Sequence, residues 1–280
     1  MAIVLAAFVS RSITGPLDRM TATLGAAASS GHLPSDFPEN SSLRQLNSLA
    51  QALNGASRSI RDSQTDLDSA YLQFVETMAQ ALDARDPYTA GHSIRVADYS
   101  YAIAREMGLP ASQAETIRIA ARLHDIGKIG IPDAILQKTA PLTNEEFGLI
   151  KLHPQIGRKI LEKVSRFEEL LGVVELHHEN YDGTGYPYKL SEQRIPLNAR
   201  IVKVADAFDS MISDRSYRDA MPMSKAIHEL LSRSGSQFDP QVTAAFMKLL
   251  ERGAPEMLLG VSLSAANAAP KAVRHEWTTA

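Results

Sequence analysis

The sequence predicts an all-α protein, and three observations carry that expectation. From Tyr71 to about Arg252 apolar residues recur at helical spacing, and no stretch of strand-like alternation competes with them. The interruptions fall at helix-stopping residues: Asp86-Pro87, Gly108 to Pro110, Gly130 to Pro132, Pro141, Pro154, Gly172, Gly183 to Pro187, Pro196, Met221-Pro222 and Asp239-Pro240. Two helix starts show the hydroxyl-and-carboxylate pattern that satisfies free backbone donors reciprocally, Ser112 with Glu115 and Thr143 with Glu146.

Composition narrows the function. A chain of 280 residues with 44% hydrophobic content can fill one sizeable domain plus extensions. The net charge of −3, without clustered Lys and Arg, gives no electrostatic reason to expect a nucleic-acid polymer as partner. With no cysteine, disulfides, zinc-thiolate sites and thiol nucleophiles are excluded, and a reducing, cytoplasmic setting is permitted. Any metal must therefore sit on imidazole and carboxylate.

Taken in order, the chain begins with an apolar run, residues 1–9, far shorter than the roughly 18–20 residues that span a bilayer. It reads either as the cytoplasmic end of a membrane span, which would associate the chain with a membrane, or as a short buried or frayed segment. Next come Ser10 to Met20 with Pro16, a polar connector from Ser29 to Ser42 with Gly31, Pro34 and Pro38, and a second helical run. Residues 10–62 thus resemble a HAMP signalling module. The second run places small or apolar residues at 3-4 spacing, Leu46, Leu49, Leu53, Ala56, Ile60, Ser63, Leu67, Ala70, Phe74, Thr77 and Ala81. Such a seam, sustained over about five heptads, predicts a parallel coiled coil and hence a homodimer through the N-terminal helices. For residues 67–81 a helix packed on its own domain is the rival reading. Residues 63–84 form the connecting helix, residues 71–252 the main bundle, and residues 261–280 a disordered tail in which His275 and Trp277 do nothing catalytic.

The chemistry-bearing residues lie on inward faces of that bundle. His124 follows Ile117, Ala120 and Ala121 on one face, with Asp125 beside it; His92 shares a face with Val96, Tyr99 and Ile103. His153 stands just before Pro154, at a helix junction. Val173 and Val174 precede His177 and His178 by one turn, Val202 precedes Asp206, and Asp209 lies a further turn along. Unpartnered buried polar groups cost several kcal/mol, roughly, so such a gathering needs something to ligate it. The set His92, His124, Asp125, His153, His177, His178 and Asp206 exceeds the three or four protein ligands of a single catalytic metal, which implies two divalent ions. Asp125 is the natural shared carboxylate, and a hydroxide held between the ions would be a nucleophile at neutral pH. His228 reads as a satisfied core residue and His32 as solvated.

The blocks HDIGKIGIP, ILQKTAPLTNEE, HPQIGRKIL, HHENYDGTGYP and RIVKVADAFDSMISDRSYR, in that order between about Phe74 and Leu250, resemble the HD-GYP domain. This subgroup of the HD phosphohydrolases hydrolyses the bacterial messenger cyclic di-GMP. The resemblance implies an HD-type helical bundle, the seven metal ligands named above, and iron or manganese as the metal. It implies that Lys128 stabilises or protonates the departing oxygen, that Gly185, Tyr186 and Pro187 form the signature loop, and that Asp209, Arg215 and Arg218 orient substrate phosphates and bases. A GGDEF-type protein is the partner it suggests. Many members with a third metal carry Glu four residues before the first His; here Tyr88 stands there, which implies two ions, with His92 the ligand least tied to them because in three-metal members it partly serves the ion that Glu would hold, and hydrolysis to linear pGpG, with GMP left open.

Rival readings accompany several residues. Lys128 could instead cap a helix end, Tyr186 could stack on guanine or hold its loop to the bundle, and Arg215 and Arg218 could make ordinary surface pairs. For the whole chain the rivals are a nucleotide phosphohydrolase of the wider HD group and a non-catalytic cyclic di-GMP receptor or scaffold. Because histidines bind metal only when neutral, metal and activity are expected to fall together below about pH 6.

Overall fold

The computed structural model describes residues 1–30, 37–41, 43–85, 91–214 and 220–253. Among them there are helices and no strand, with pairing limited to the isolated bridges Asp182–Ser191 and Ser234–Phe238. Tyr88, Arg215, Arg218, His32 and residues 261–280 lie outside the described residues. The chain divides into two units, Met1–Leu72 and Gln73–Ala280.

The first unit contains α1 (Ala2–Val9), a π-helical turn at Ser10–Thr14, α2 (Gly15–Ser30) and the larger part of α3 (Arg44–Arg85). Met20, Phe37 and Ala50 form its buried cluster, flanked by Leu24 and Leu53. The Asn54 side chain ties the connector to α3: it donates to the Phe37 carbonyl (3.0 Å) and accepts from the Phe37 amide (2.6 Å). No described helix is long and apolar enough to cross a membrane. Along α3 the seam positions Ile60, Leu67 and Phe74 are 55%, 57% and 53% exposed.

The second unit is a bundle of α4 (His92–Glu106), α5 (Ala111–Arg122), α6 (Asp133–Leu136), α7 (Asn144–Ile150), α8 (His153–Leu161), α9 (Glu168–Leu176), α10 (Leu197–Ile212), α11 (Met223–Ser232) and α12 (Pro240–Glu251). Helix α4 lies at its centre, packed on α5, α10 and α12, while α9 packs on α5, α8 and α10. Val96, Ala97, Ile103, Val173, Val174, Ile201, Val202 and Phe208 fill the interior with no exposed surface. Tyr99, Phe208 and Phe246 meet edge to face, closing the core beneath α4.

Local signals set the helix ends. Thr143 and Glu146 form the expected capping box on α7, and Asp239 caps α12 ahead of Pro240. Three expectations are corrected. The Ser112–Glu115 box does not form, because the chain enters α5 through Pro110, which places Ser112 inside the first turn. Gly172 does not end a helix; it lies within α9, where an added Cβ would meet Pro196 Cγ at an ordinary 3.7 Å. His228 is exposed, since Ala226 and Leu230 supply the inward face of α11.

Candidate metal centre

Helix α5 ends at Arg122, and the chain then passes through His124 and Asp125 into a 3-10 turn at Ile126–Gly130. His124 Nδ1 lies 2.6 Å from the Ala121 carbonyl, His153 Nδ1 2.8 Å from that of Ile150, and His177 Nδ1 3.0 Å from that of Val174. A carbonyl only accepts, so each Nδ1 carries a hydrogen and each Nε2 is turned into the site, a lone pair for a metal whenever the ring is neutral. The helix turn preceding each histidine thus fixes both its tautomer and its direction.

Those Nε2 atoms converge on Asp125. Its Oδ1 is 3.2 Å from His153 Nε2 and 4.0 Å from His177 Nε2, while Oδ2 is 3.3 Å from His124 Nε2 and 2.6 Å from Lys128 Nζ. His153 Nε2 and His177 Nε2 are themselves 3.3 Å apart. Two imidazole nitrogens and a carboxylate oxygen facing one another at these distances are the mixed nitrogen and oxygen donor set that fits a divalent ion. Asp125, His153, His177 and His178 form one group whose ligand atoms lie within 4.8 Å of one another, and His92, His124 and Asp125 form a second. Asp125 belongs to both.

Electrostatics sharpen the two groups differently. Burial, reinforced by neighbouring imidazoles, pushes His177 and His178 well below the usual histidine range, which keeps them neutral. Burial also works against the charged form of His92, yet hydrogen bonds to Asp206 and Asp209 overcome it and raise its pKa to about 9. His92 Nε2 is 3.3 Å from Asp206 Oδ1, and its Nδ1 is 2.7 Å from Asp209 Oδ2. Without a metal it is an imidazolium held between two carboxylates. Burial opposes ionisation of Asp125 as well, but Lys128 and His124 hold it well below the usual carboxylate range.

Of the expected ligands, six come together as the two groups, and Asp206 stands at their edge through His92. Asp209, expected to orient substrate, has no exposed surface; Arg95 Nε donates to its Oδ1 (2.6 Å) and Arg95 Nη2 to its Oδ2 (3.0 Å), the oxygen that also meets His92 Nδ1. It supports His92 from behind. Arg95 was not anticipated; it lies one turn after His92, a place that periodicity alone gives to a solvated arginine.

The signature loop is built to fold back tightly. A Cβ on Gly185 would lie 2.2 Å from the Asn180 amide nitrogen and 2.6 Å from the His178 carbonyl oxygen, so only glycine permits that approach. Gly183 has φ +84°, in the left-handed region. The buried Glu179 closes the loop, accepting from the Tyr188 amide (2.6 Å) and the Leu190 amide (3.1 Å). Sequence reading passed over this residue. The Tyr186 ring stacks on His178 with centroids 4.8 Å apart, which uses one of its faces within the protein. Lys203, also unanticipated, donates to the His178 carbonyl at 3.3 Å, and burial pushes its pKa down to about 8.

Residues 76–242 match the HD domain family, a span that contains both histidine groups and the Lys128 turn. The chain belongs to the HD domain family. This HD domain is similar to a cyclic di-GMP phosphodiesterase of Thermotoga maritima, 40% identical over 206 residues that cover 73% of this chain and 56% of that one. It is also similar to a 3′3′-cGAMP-specific phosphodiesterase of Vibrio cholerae, 41% identical over 185 residues, 66% of this chain and 40% of the relative. A cyclic di-GMP phosphodiesterase response regulator of Xanthomonas campestris is 35% identical over 207 residues, 73% of this chain and 55% of the relative. The chain therefore spans about half the length of these curated relatives.

Proposed function

We propose that this HD domain is a metal-dependent phosphodiesterase that opens the ring of cyclic di-GMP. The observation that carries the reading is the sharing of Asp125 between two separate ligand groups, one oxygen facing each. Divalent ions held there, iron or manganese, would supply the Lewis-acid charge that polarises a phosphodiester and activates water. Asp125, His153, His177 and His178 would hold one ion; His92, His124 and Asp125, with Asp206 adjacent, would hold the other.

Everything else falls to this chain's own groups. Lys128 Nζ, 2.6 Å from Asp125 Oδ2, stands where it can give a proton to the departing sugar oxygen at the edge of the ion pair. The Asp209–Arg95 pair fixes the His92 ring, and the Glu179-closed loop carries Gly185, Tyr186 and Pro187 over His178. Arg215 and Arg218 are assigned to the substrate phosphates by the resemblance, and Tyr88, in place of a carboxylate, supports two ions and pGpG as product. The exposed α3 seam supports pairing of two copies through the N-terminal helices, with a HAMP-like segment ahead of it. A GGDEF-type protein remains the partner the resemblance suggests.

A second cyclic dinucleotide has support of its own, because a relative named for 3′3′-cGAMP is as similar as those named for cyclic di-GMP. The deciding experiment loads the purified protein anaerobically with iron or manganese. It then follows cyclic di-GMP, 3′3′-cGAMP and deoxynucleoside triphosphates in parallel by chromatography. Linear dinucleotide from cyclic di-GMP supports the reading; triphosphate hydrolysis alone, or tight binding without product, overturns it.

A further inference from the structure

The last turn of α3 grips the segment that carries the proton donor. Arg85, its final residue, donates from Nη1 to the Lys128 carbonyl (3.0 Å), from Nη2 to the Ile131 carbonyl (2.8 Å) and from Nε to Asp133 Oδ1 (2.8 Å). One planar guanidinium thus spans the 3-10 turn from the main chain of Lys128 to the start of α6. Two residues earlier on α3, Asp83 accepts from the Ser93 hydroxyl at 2.8 Å, beside His92. Two nearby positions of one helix therefore hold the segments bearing Lys128 and His92.

We propose that Arg85 is a positioning residue for the hydrolysis, setting where the Lys128 ammonium stands relative to Asp125. The proposal rests on the reading above, in which Lys128 serves the departing oxygen. Arg85 touches neither ligand group. Two of its three bonds go to main-chain carbonyls, that of Lys128 itself and that of Ile131 just past the turn, so a shift of this backbone moves Nζ directly. The Lys128 carbonyl also accepts from the Ile131 amide at 3.0 Å, so removing Arg85 leaves that acceptor paired and loosens the turn without orphaning it. Only arginine offers the rigid fork that reaches three acceptors at once; lysine keeps the charge and can satisfy one.

The test uses the full chain, metal-loaded, as wild type, Arg85→Ala and Arg85→Lys, with metal content and thermal midpoint measured for each. Each is assayed on cyclic di-GMP, whose leaving group is a sugar alkoxide that needs a proton, and on bis(p-nitrophenyl) phosphate, whose nitrophenolate leaves without one. We expect Arg85→Ala to lower kcat on cyclic di-GMP by about 10- to 100-fold, the scale of a misplaced reacting group. KM and metal content should change less than about twofold, and kcat on the nitrophenyl ester less than about threefold, since no proton donor is needed there. Arg85→Lys, which folds even should the alanine variant fail to, should show a smaller loss with the same selectivity. Equal losses on both esters, or losses that follow metal content or KM, overturn the assignment alone. A wild-type protein that cleaves the nitrophenyl ester but not cyclic di-GMP overturns the substrate reading and this assignment together.

Discussion

His92 and Asp209 form a buried pair, Nδ1 to Oδ2 at 2.7 Å, with both Asp209 oxygens also held by Arg95. A carboxylate behind a histidine orients the ring and raises its basicity, and loss of such a partner costs about 10- to 100-fold in metal affinity. Asp209→Asn should fold, lose affinity on that scale for one ion, and keep the second. Metal titration followed by elemental analysis reads both; unchanged binding of two ions would remove Asp209 from the site.

Asp125→Asn should be more damaging. The variant keeps the shape of the side chain but discards the charge that both ligand groups share. Turnover should fall by at least about 100-fold, since direct ligation matters no less than support from behind. Both ions should be depleted. A variant that retained one full equivalent at wild-type affinity would mean that the two groups do not depend on a common carboxylate.

pH acts on the two groups in opposite ways. The raised pKa of His92, about 9, means that its interaction with Asp206 and Asp209 stabilises the metal-free fold fully below about pH 6.5 and is lost as pH rises through 9. Chelator-treated protein should thus melt at lower temperature above about pH 9 than near pH 6.5. Metal binding runs the other way, because the ion must displace the His92 proton, so affinity should climb up to about pH 9 with release of roughly one proton. Calorimetry in buffers of different ionisation enthalpy measures that proton directly. The sequence-based expectation of loss below about pH 6 is thereby shifted upward by His92, whereas burial keeps His177 and His178 neutral well below 6.5.

Gly127 and Gly148 make a matched pair of tests. A Cβ at Gly127 would fall 1.8 Å from the His153 carbonyl oxygen and 2.5 Å from the Gly157 amide nitrogen, whereas at Gly148 nothing lies within 4 Å. Gly127→Ala must push the 3-10 turn away from α8, costing about 1–3 kcal/mol or more and separating Asp125 from His153. Gly148→Ala, inside α7, should be neutral or stabilise by about 0.5–1 kcal/mol. Denaturant melts compare the two, and equal midpoints would deny the close contact.

How much of the molecule is legible in the sequence differs residue by residue. His124, Asp125, His177 and His178 stand out, because adjacent polar pairs at the inward end of apolar helix faces are costly to bury unless a cation holds them. The all-α class follows from period alone. Asp209 falls on the correct face but with the wrong neighbour: periodicity fixes the direction of a side chain, and only packing decides whether an arginine waits behind it. Arg85 and Gly127 are opaque for a related reason. Their partners lie far along the chain, at Ile131 and Gly157, and nothing local to either residue records them.

The pocket draws its parts from distant stretches of the polypeptide, and His92 and Asp209 are 117 positions apart. Contacts of such long sequence separation form late, after nearer ones have offset the entropy of loop closure. A nascent chain that has emerged only as far as α9 would hold imidazoles without their full complement of counter-charge. The complete donor set for a cation is thereby a property of the finished fold and of no single stretch of chain.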